Sequence, residues 1–267
     1  MSLACLSSTA ADRAEPSPKS KTAPGGRISA AIKGIAAWAP GIEGAEQWRA
    51  WAQGSRAPDF GAAVPQPSGV DAMLRRRLAP LARAGLAMAE AVLPVGQEAR
   101  LVFASRHGDL RRTLGLLEAI ADDQPLSPTA FGLSVHNALP GLWSIARQDR
   151  SANLALAAGE ETFPWALVEA MSELAAKPDS DVVLLYADDP MPEAYAVFES
   201  PAAPPLALAL RLAARGPVRL EAAWATEGGA STEPAALAFL RAWFGASGDG
   251  AWQAAARRWS WSWHAEN

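Results

Sequence analysis

Residues 126–170, LSPTAFGLSVHNALPGLWSIARQDRSANLALAAGEETFPWALVEA, constrain the fold more than any other part of the chain. They read as a loop, a helix over 138–147, a short strand over 153–158, a sharp turn at Ala158-Gly159-Glu160 and a second helix over 162–176. A short apolar strand that turns straight into a helix reaches its parallel neighbour by a crossover, since a hairpin cannot join parallel strands. The same alternation runs through the rest of the sequence. An apolar run over 28–37 ends at Pro40-Gly41, and a short helix over 45–52 carries Trp48 and Trp51. A proline- and glycine-rich loop over 54–69 precedes a helix over 70–93, with Leu74, Leu78, Leu81, Leu86, Met88 and Val92 at three- and four-residue intervals before Pro94. Strand 100–104, turn 105–109, helix 110–121 and strand 182–186 continue the pattern. The order calls for an α/β fold: a mostly parallel sheet with helices on its faces. Two apolar runs, 206–213 and 218–225, joined by Ala214-Arg215-Gly216-Pro217, read as a hairpin and make the sheet mixed. A helix over 234–244 and the period-two run Trp259-Ser260-Trp261-Ser262-Trp263 close the chain, the latter suited to an edge strand or a pairing surface.

Composition narrows the function classes. With 267 residues, half of them apolar, the chain can bury a full core. A net charge of −4 gives no electrostatic case for nucleic acid or anionic membranes. Arg75-Arg76-Arg77 and Arg111-Arg112 are short clusters within helical patterns and read as solvated faces, although an acidic carrier protein could use them. Residues 1–26, small, polar and proline-bearing, are expected to be a disordered tail, with one domain over 27–267. The single cysteine, Cys5, falls in that tail, which excludes an internal disulfide, a cysteine zinc site and a cysteine nucleophile in the core. No run reaches the length of about 20 apolar residues needed for a membrane helix, so a cytoplasmic location is the expectation.

The spacing of Ser127, Pro128, Phe131, Ser134, Asn137 and Gly141 resembles the nucleophile-bearing half of β-ketoacyl synthases. In that family a run of the form SPxxFxxSxxNxxAG leads through a helix to a strand ending in Thr-Ala-Cys, at the tip of a buried helix. Counting on without a gap, Glu160 falls where the cysteine belongs, with Ala158 and Gly159 before it. A carboxylate cannot form and release a thioester as a thiolate does. Neither of the family's two catalytic histidine motifs is found downstream of Tyr186, and His264 lies in WSWHAEN without flanking glycines. The resemblance covers roughly 28–213 and implies the N-terminal half of a thiolase-like fold. Short proteins of this kind look like the chain length factors of bacterial aryl polyene systems, related to type II fatty-acid synthesis. That implies a non-catalytic subunit, without cofactor or metal. It would pair as a heterodimer with a catalytic β-ketoacyl synthase, meet acyl carrier protein through the complex, and shape the acyl tunnel that fixes polyene length.

Three residues are the candidates for that tunnel or its interface: Glu160, His107 and Phe131. Glu160 and Glu161 also suit the first turn of a helix, where acidic side chains are favoured by the macrodipole. His107, in RLVFASRHGDL, falls near the side chain that limits acyl length in the family, or is a turn histidine bonded to the following helix. Phe131 matches an apolar position that reaches toward the partner's pocket, or packs in the core. His136 and Asn137 suit hydrogen bonds of the fold. Gly132-Leu133-Ser134-Val135-His136 lacks the second glycine of a serine-nucleophile elbow. Asp122-Asp123 and Asp188-Asp189 read as solvated caps. Two other readings remain: a hydrolase or decarboxylase using Glu160 with His107 or His136, and an interaction module built on the tryptophan-rich end.

Overall fold

The computed structural model describes residues 25–198, 203–245 and 247–266. Of the expected tail, residues 1–24 and with them Cys5 lie outside the described residues, whereas Gly26 already pairs with Trp224. The chain forms β1 (Gly26–Ala39), β2 (Ile42–Glu43), α1 (Gly44–Ala52), α2 (Ala72–Arg77), α3 (Pro80–Val92), β3 (Arg100–Ala104) and α4 (Leu110–Ala121). It continues with α5 (Pro128–Ser134), α6 (Ala138–Arg147), β4 (Asn153–Leu156), α7 (Thr162–Ala176) and β5 (Val182–Asp188). The last elements are β6 (Leu206–Ala213), β7 (Val218–Ala225), α8 (Ala235–Phe244), β8 (Asp249–Gln253) and β9 (Arg258–Ala265).

One mixed sheet runs in the order β4-β3-β5-β6-β1-β7-β9-β8, with β2 paired to β1. Strands β1, β3, β4, β5 and β9 point one way and β2, β6, β7 and β8 the other. The expectation of a mostly parallel sheet needs correcting in proportion. Parallel pairing is confined to β4-β3-β5, the strands separated by helices, and every other neighbouring pair is antiparallel. Side chains alternate faces along each strand, so Leu101 and Phe103 enter one core while Val102 and Ala104 enter the other. The first face packs on α3 and α6, the second on α1, α7 and α8.

Two expectations fail for local reasons. The helix over 70–93 is two helices, because Pro80 drives Ala79 into extended backbone (ψ 155°) and restarts the helix as its first residue. The Asp71 carboxylate caps the first piece by accepting from Met73 and Leu74 N–H. The hairpin over 206–225 does not form. β6 pairs with β1 from Ala31 to Trp38, and β7 pairs with its other edge from Gly26 to Ile32. The chain therefore steps across β1 through residues 214–217, near a register shift between Ile32 and Gly34. Gly216 makes this possible, since a Cβ there would lie 3.2 Å from the Ala31 Cβ and 3.3 Å from the Ile32 carbonyl oxygen.

The tryptophan run is not an edge. β9 lies between β7 and β8, and Trp259 and Trp261 are buried in this chain's own core. Trp165, Trp224 and Trp259 pack with ring centroids 4.9–5.8 Å apart. Trp261 and Trp263 pack on Phe239 of α8.

The crossing over β1 is testable. Gly216→Val is expected to destabilise the fold by about 1–3 kcal/mol, as an overpacked site does, read as a lowered denaturation midpoint with an unchanged slope. Arg215→Val, one residue away on an exposed position, should move the midpoint far less.

Candidate functional site

β4 ends at Leu156, and after five intervening residues α7 enters the interior. The turn between them is held from inside: Thr162, 1% exposed, accepts from the Ala158 N–H at 2.9 Å and donates its hydroxyl to the Gly159 carbonyl at 2.7 Å. Gly159 takes a positive φ of 59°, where a Cβ would be strained. Phe163, Ala166, Leu167, Ala170 and Met171 then bury the inner face of α7. This is a strand–turn–helix elbow, and Glu160 sits at its tip.

The two acids of the elbow have different surroundings. Glu161 accepts from Trp165 Nε1 at 2.9 Å and from Arg257 Nη1 at 3.0 and 3.2 Å, and the Arg257 guanidinium lies 5.2 Å from the Trp165 ring centroid. Glu160 is exposed and, among the described residues, has neither a hydrogen bond nor an ion pair. Glu161 is therefore the structural acid and Glu160 the free one.

His107 stands exposed on the turn between β3 and α4. That turn rests on a buried network. Asp188 Oδ1 accepts from Ser105 Oγ and from the Arg106 N–H, both at 2.9 Å. Asp188 Oδ2 accepts from Arg106 Nε at 2.6 Å and from the Tyr186 hydroxyl at 2.8 Å. Burial, with the neighbouring Asp188 carboxylate, holds the Tyr186 hydroxyl well above its ordinary pKa. Asp188 is thus a buried partner of Arg106 rather than a solvated cap, which corrects the sequence reading; its signal was an apolar run, VVLLYAD, that continues unbroken into the acid.

Phe131 lies on α5, 61% exposed, so core packing is not its role. His136 is near the sheet's other face, its Nε2 2.8 Å from the Ser105 carbonyl oxygen and its ring 5.6 Å from Phe103. α7 belongs to the opposite core. The structure therefore does not join Glu160 and His136 into one site. Asn137 caps α6 without a side-chain hydrogen bond, and Asp122 and Asp123 are exposed. Among the described residues no group of three or more His, Cys, Asp or Glu side chains stands together as a metal site, and no helix is long and apolar enough to cross a membrane.

A cavity of about 60 Å³, open to solvent, lies beyond the carboxyl ends of β3 and β5, on the α3–α6 side. Leu81, Phe103, Leu139 and Leu142 form its apolar wall; Arg77, Asp109, Arg112, His136 and Asp189 bring polar groups to it. Sequence reasoning missed it because its walls come from seven separate elements, α2 to α6 with β3 and β5. None of Glu160, His107 or Phe131 lines it.

Residues 48–263 match the family pattern described as Beta-ketoacyl synthase, N-terminal domain. The chain belongs to that family. Among solved structures, it superposes on a chain of the ketosynthase ApeO in complex with its chain length factor ApeC, from Xenorhabdus doucetiae. The TM-score is 0.73 at 25% identity, over 88% of this chain and 99% of that one. A β-ketoacyl synthase from Burkholderia phymatum matches with a TM-score of 0.55 at 10% identity, over 71% of this chain and 59% of that one. The ishigamide ketosynthase/chain length factor matches with 0.50 at 14%, over 70% and 59%. Proteins of curated function show no significant sequence match. The mixed, helix-flanked sheet is thus that of the thiolase-like ketosynthase fold.

Within the cavity, burial raises the Asp189 carboxyl from 3.8 to about 6, against the opposing pull of Arg111. A carboxyl that binds its proton more tightly folded than unfolded costs stability above its folded pKa. The cost shrinks as pH falls and is gone when both states are protonated. Asp189→Asn is therefore expected to stabilise the protein by about 1–3 kcal/mol at pH about 7.5 and by almost nothing near pH about 4. Thermal melts across that range check it.

Proposed function

We propose that this chain is a non-catalytic subunit of the chain-length-factor type, which pairs with a catalytic β-ketoacyl synthase and shapes the acyl tunnel of the pair. The observation that carries the reading is Glu160 at the tip of the elbow before α7, where the family pattern calls for the nucleophile. Acyl transfer needs a nucleophile that can also leave, and a solvated carboxylate at this turn has neither an activating base nor a thiolate's nucleophilicity. Condensation then belongs to the partner, together with the histidines.

One flank of the molecule suits such a partner. β4 ends the sheet, so among the described residues its outer backbone edge is unpaired. Beside it, α6, α5, α4 and the segments that connect them expose Ile145, Phe131, Val135, Leu117, Ile120 and Leu126. Neither α4 nor α5 contains a buried residue. An unpaired strand edge next to an apolar helical face is the arrangement that association covers. The likeness to a chain of the ApeO–ApeC complex supports the same reading. Phe131 would enter the partner's side of the tunnel, His107 would border its far end, and acyl carrier protein would meet the subunit through the complex. The polyene class of product follows the same resemblance.

The test is co-expression with a catalytic β-ketoacyl synthase from the same genome, followed by size-exclusion chromatography and product analysis. The two chains should co-elute in equal amounts. Phe131→Asp should weaken the pairing by about tenfold or more, as a charge placed in an apolar interface does. Glu160→Ala should keep both the pairing and the product. Recovery of a labelled acyl group covalently on this chain would sink the proposal.

A further inference from the structure

The cavity above β3 and β5 lies on the opposite side of the sheet from α7, so its chemistry is independent of the elbow. Strand parity explains how it acquires an acid. Asp188 follows Leu184 and Tyr186 in the set that faces α7, and its carboxylate is consumed by Arg106, Ser105 and Tyr186. Asp189 follows Val183, Leu185 and Ala187 in the other set and lines the cavity. Among the described residues it accepts no hydrogen bond, and the nearest cation, Arg111 Nε, is 3.9 Å away. Of the other polar groups at the cavity, Arg112 and His136 are committed, whereas the Arg77 guanidinium, exposed at the mouth, has no partner among the described residues. Arg112 donates Nε to Asp109 Oδ2 at 2.8 Å and Nη2 to the Arg77 carbonyl at 3.1 Å, and His136 Nε2 faces the Ser105 carbonyl.

We propose that this cavity binds a small, neutral, mainly apolar molecule whose hydroxyl donates a hydrogen bond to Asp189. Its charge pattern selects that class. An anion would meet Asp109 and Asp189, and a cation would be stripped of water among Leu81, Phe103, Leu139 and Leu142 with Arg77, Arg111 and Arg112 around the mouth. A neutral body avoids both costs, and a single donor gives Asp189, whose only partner among the described residues is the loose ion pair with Arg111, the hydrogen bond it lacks. The half-buried position that costs Asp189 stability as a carboxylate also strengthens any hydrogen bond it accepts.

The test titrates the full chain, isotopically labelled, with 1-hexanol and p-cresol, one aliphatic and one aromatic hydroxyl compound, and follows amide shifts. Hexanoate and hexylamine serve as charged analogues of the same length. A ligand of about seven non-hydrogen atoms should bind with a Kd of about 1 mM. Resonances of Phe103, Leu139 and Ala187 should move together. Asp189→Ala should weaken binding about tenfold, the usual loss for a hydrogen bond to a charged group. Ala82→Trp, which fills the cavity from α3, should abolish it. If Asp189→Ala fails to fold, Asp189→Ser carries the same expectation. The proposal is overturned if neither hydroxyl compound shifts the wall residues, if a charged analogue binds as tightly, or if binding survives either substitution unchanged.

Discussion

The burial of α7 is the constraint on which the rest of the structure depends. A helix covered on several faces has its first residue fixed to within the rotamer freedom of its neighbours, and Thr162, Phe163 and Pro164 leave α7 little. Its position is set by the sheet, including the tryptophan-bearing strands β7 and β9, and by α8, which shares the same core. Each tryptophan removed from water there is worth about 4 kcal/mol or more as an upper estimate. The C-terminal quarter therefore extends the wall on which α7 packs and adds α8 to the same core. Arg257, in the turn between β8 and β9, then reaches back to Glu161 and ties that wall to the elbow itself.

The difference between Glu160 and Glu161 follows from this geometry. Both stand before the same helix and both would be favoured by its dipole. Glu161 faces inward toward Trp165 and Arg257, so its charge is answered by a donor from the ring and by a guanidinium. Removing it would strand Arg257 and the Trp165 N–H. Glu160 has no such tie, and its substitution leaves no buried group unpaired. An exposed acid with no structural work to do, at the tip of a rigid elbow, is available to whatever surface covers the elbow.

Much of the architecture was legible because it rests on local rules. Strand β3 and helices α4, α6 and α7 lie where apolar periodicity placed them, since each is bounded by turn residues or caps that act within a few positions. What could not be read was the result of non-local competition. Residues 206–225 carry a hairpin's pattern, yet β1 offers fourteen residues with two free edges, and both runs took an edge of β1 instead of each other. Pro80 divides the helix although the leucine spacing continues through it. The period-two tryptophan run correctly announced a strand, but nothing local says whether such a face covers its own chain or another.

The carboxyl ends of β3 and β5 show how one sheet places neighbouring side chains in different surroundings. Alternation sends neighbouring acids, Asp188 and Asp189, to opposite sides of one sheet. The first is neutralised and becomes part of the frame that holds the His107 turn; the second is left beside an apolar space whose walls belong to α3, α5 and α6. Those same α5 and α6 helices present their outer faces, through Phe131 and Ile145, to the flank beside β4. Occupation of the cavity from the inside and coverage of the helices from the outside would therefore act on one pair of helices. Because α5 has no buried residue of its own, it has little packing energy with which to resist either.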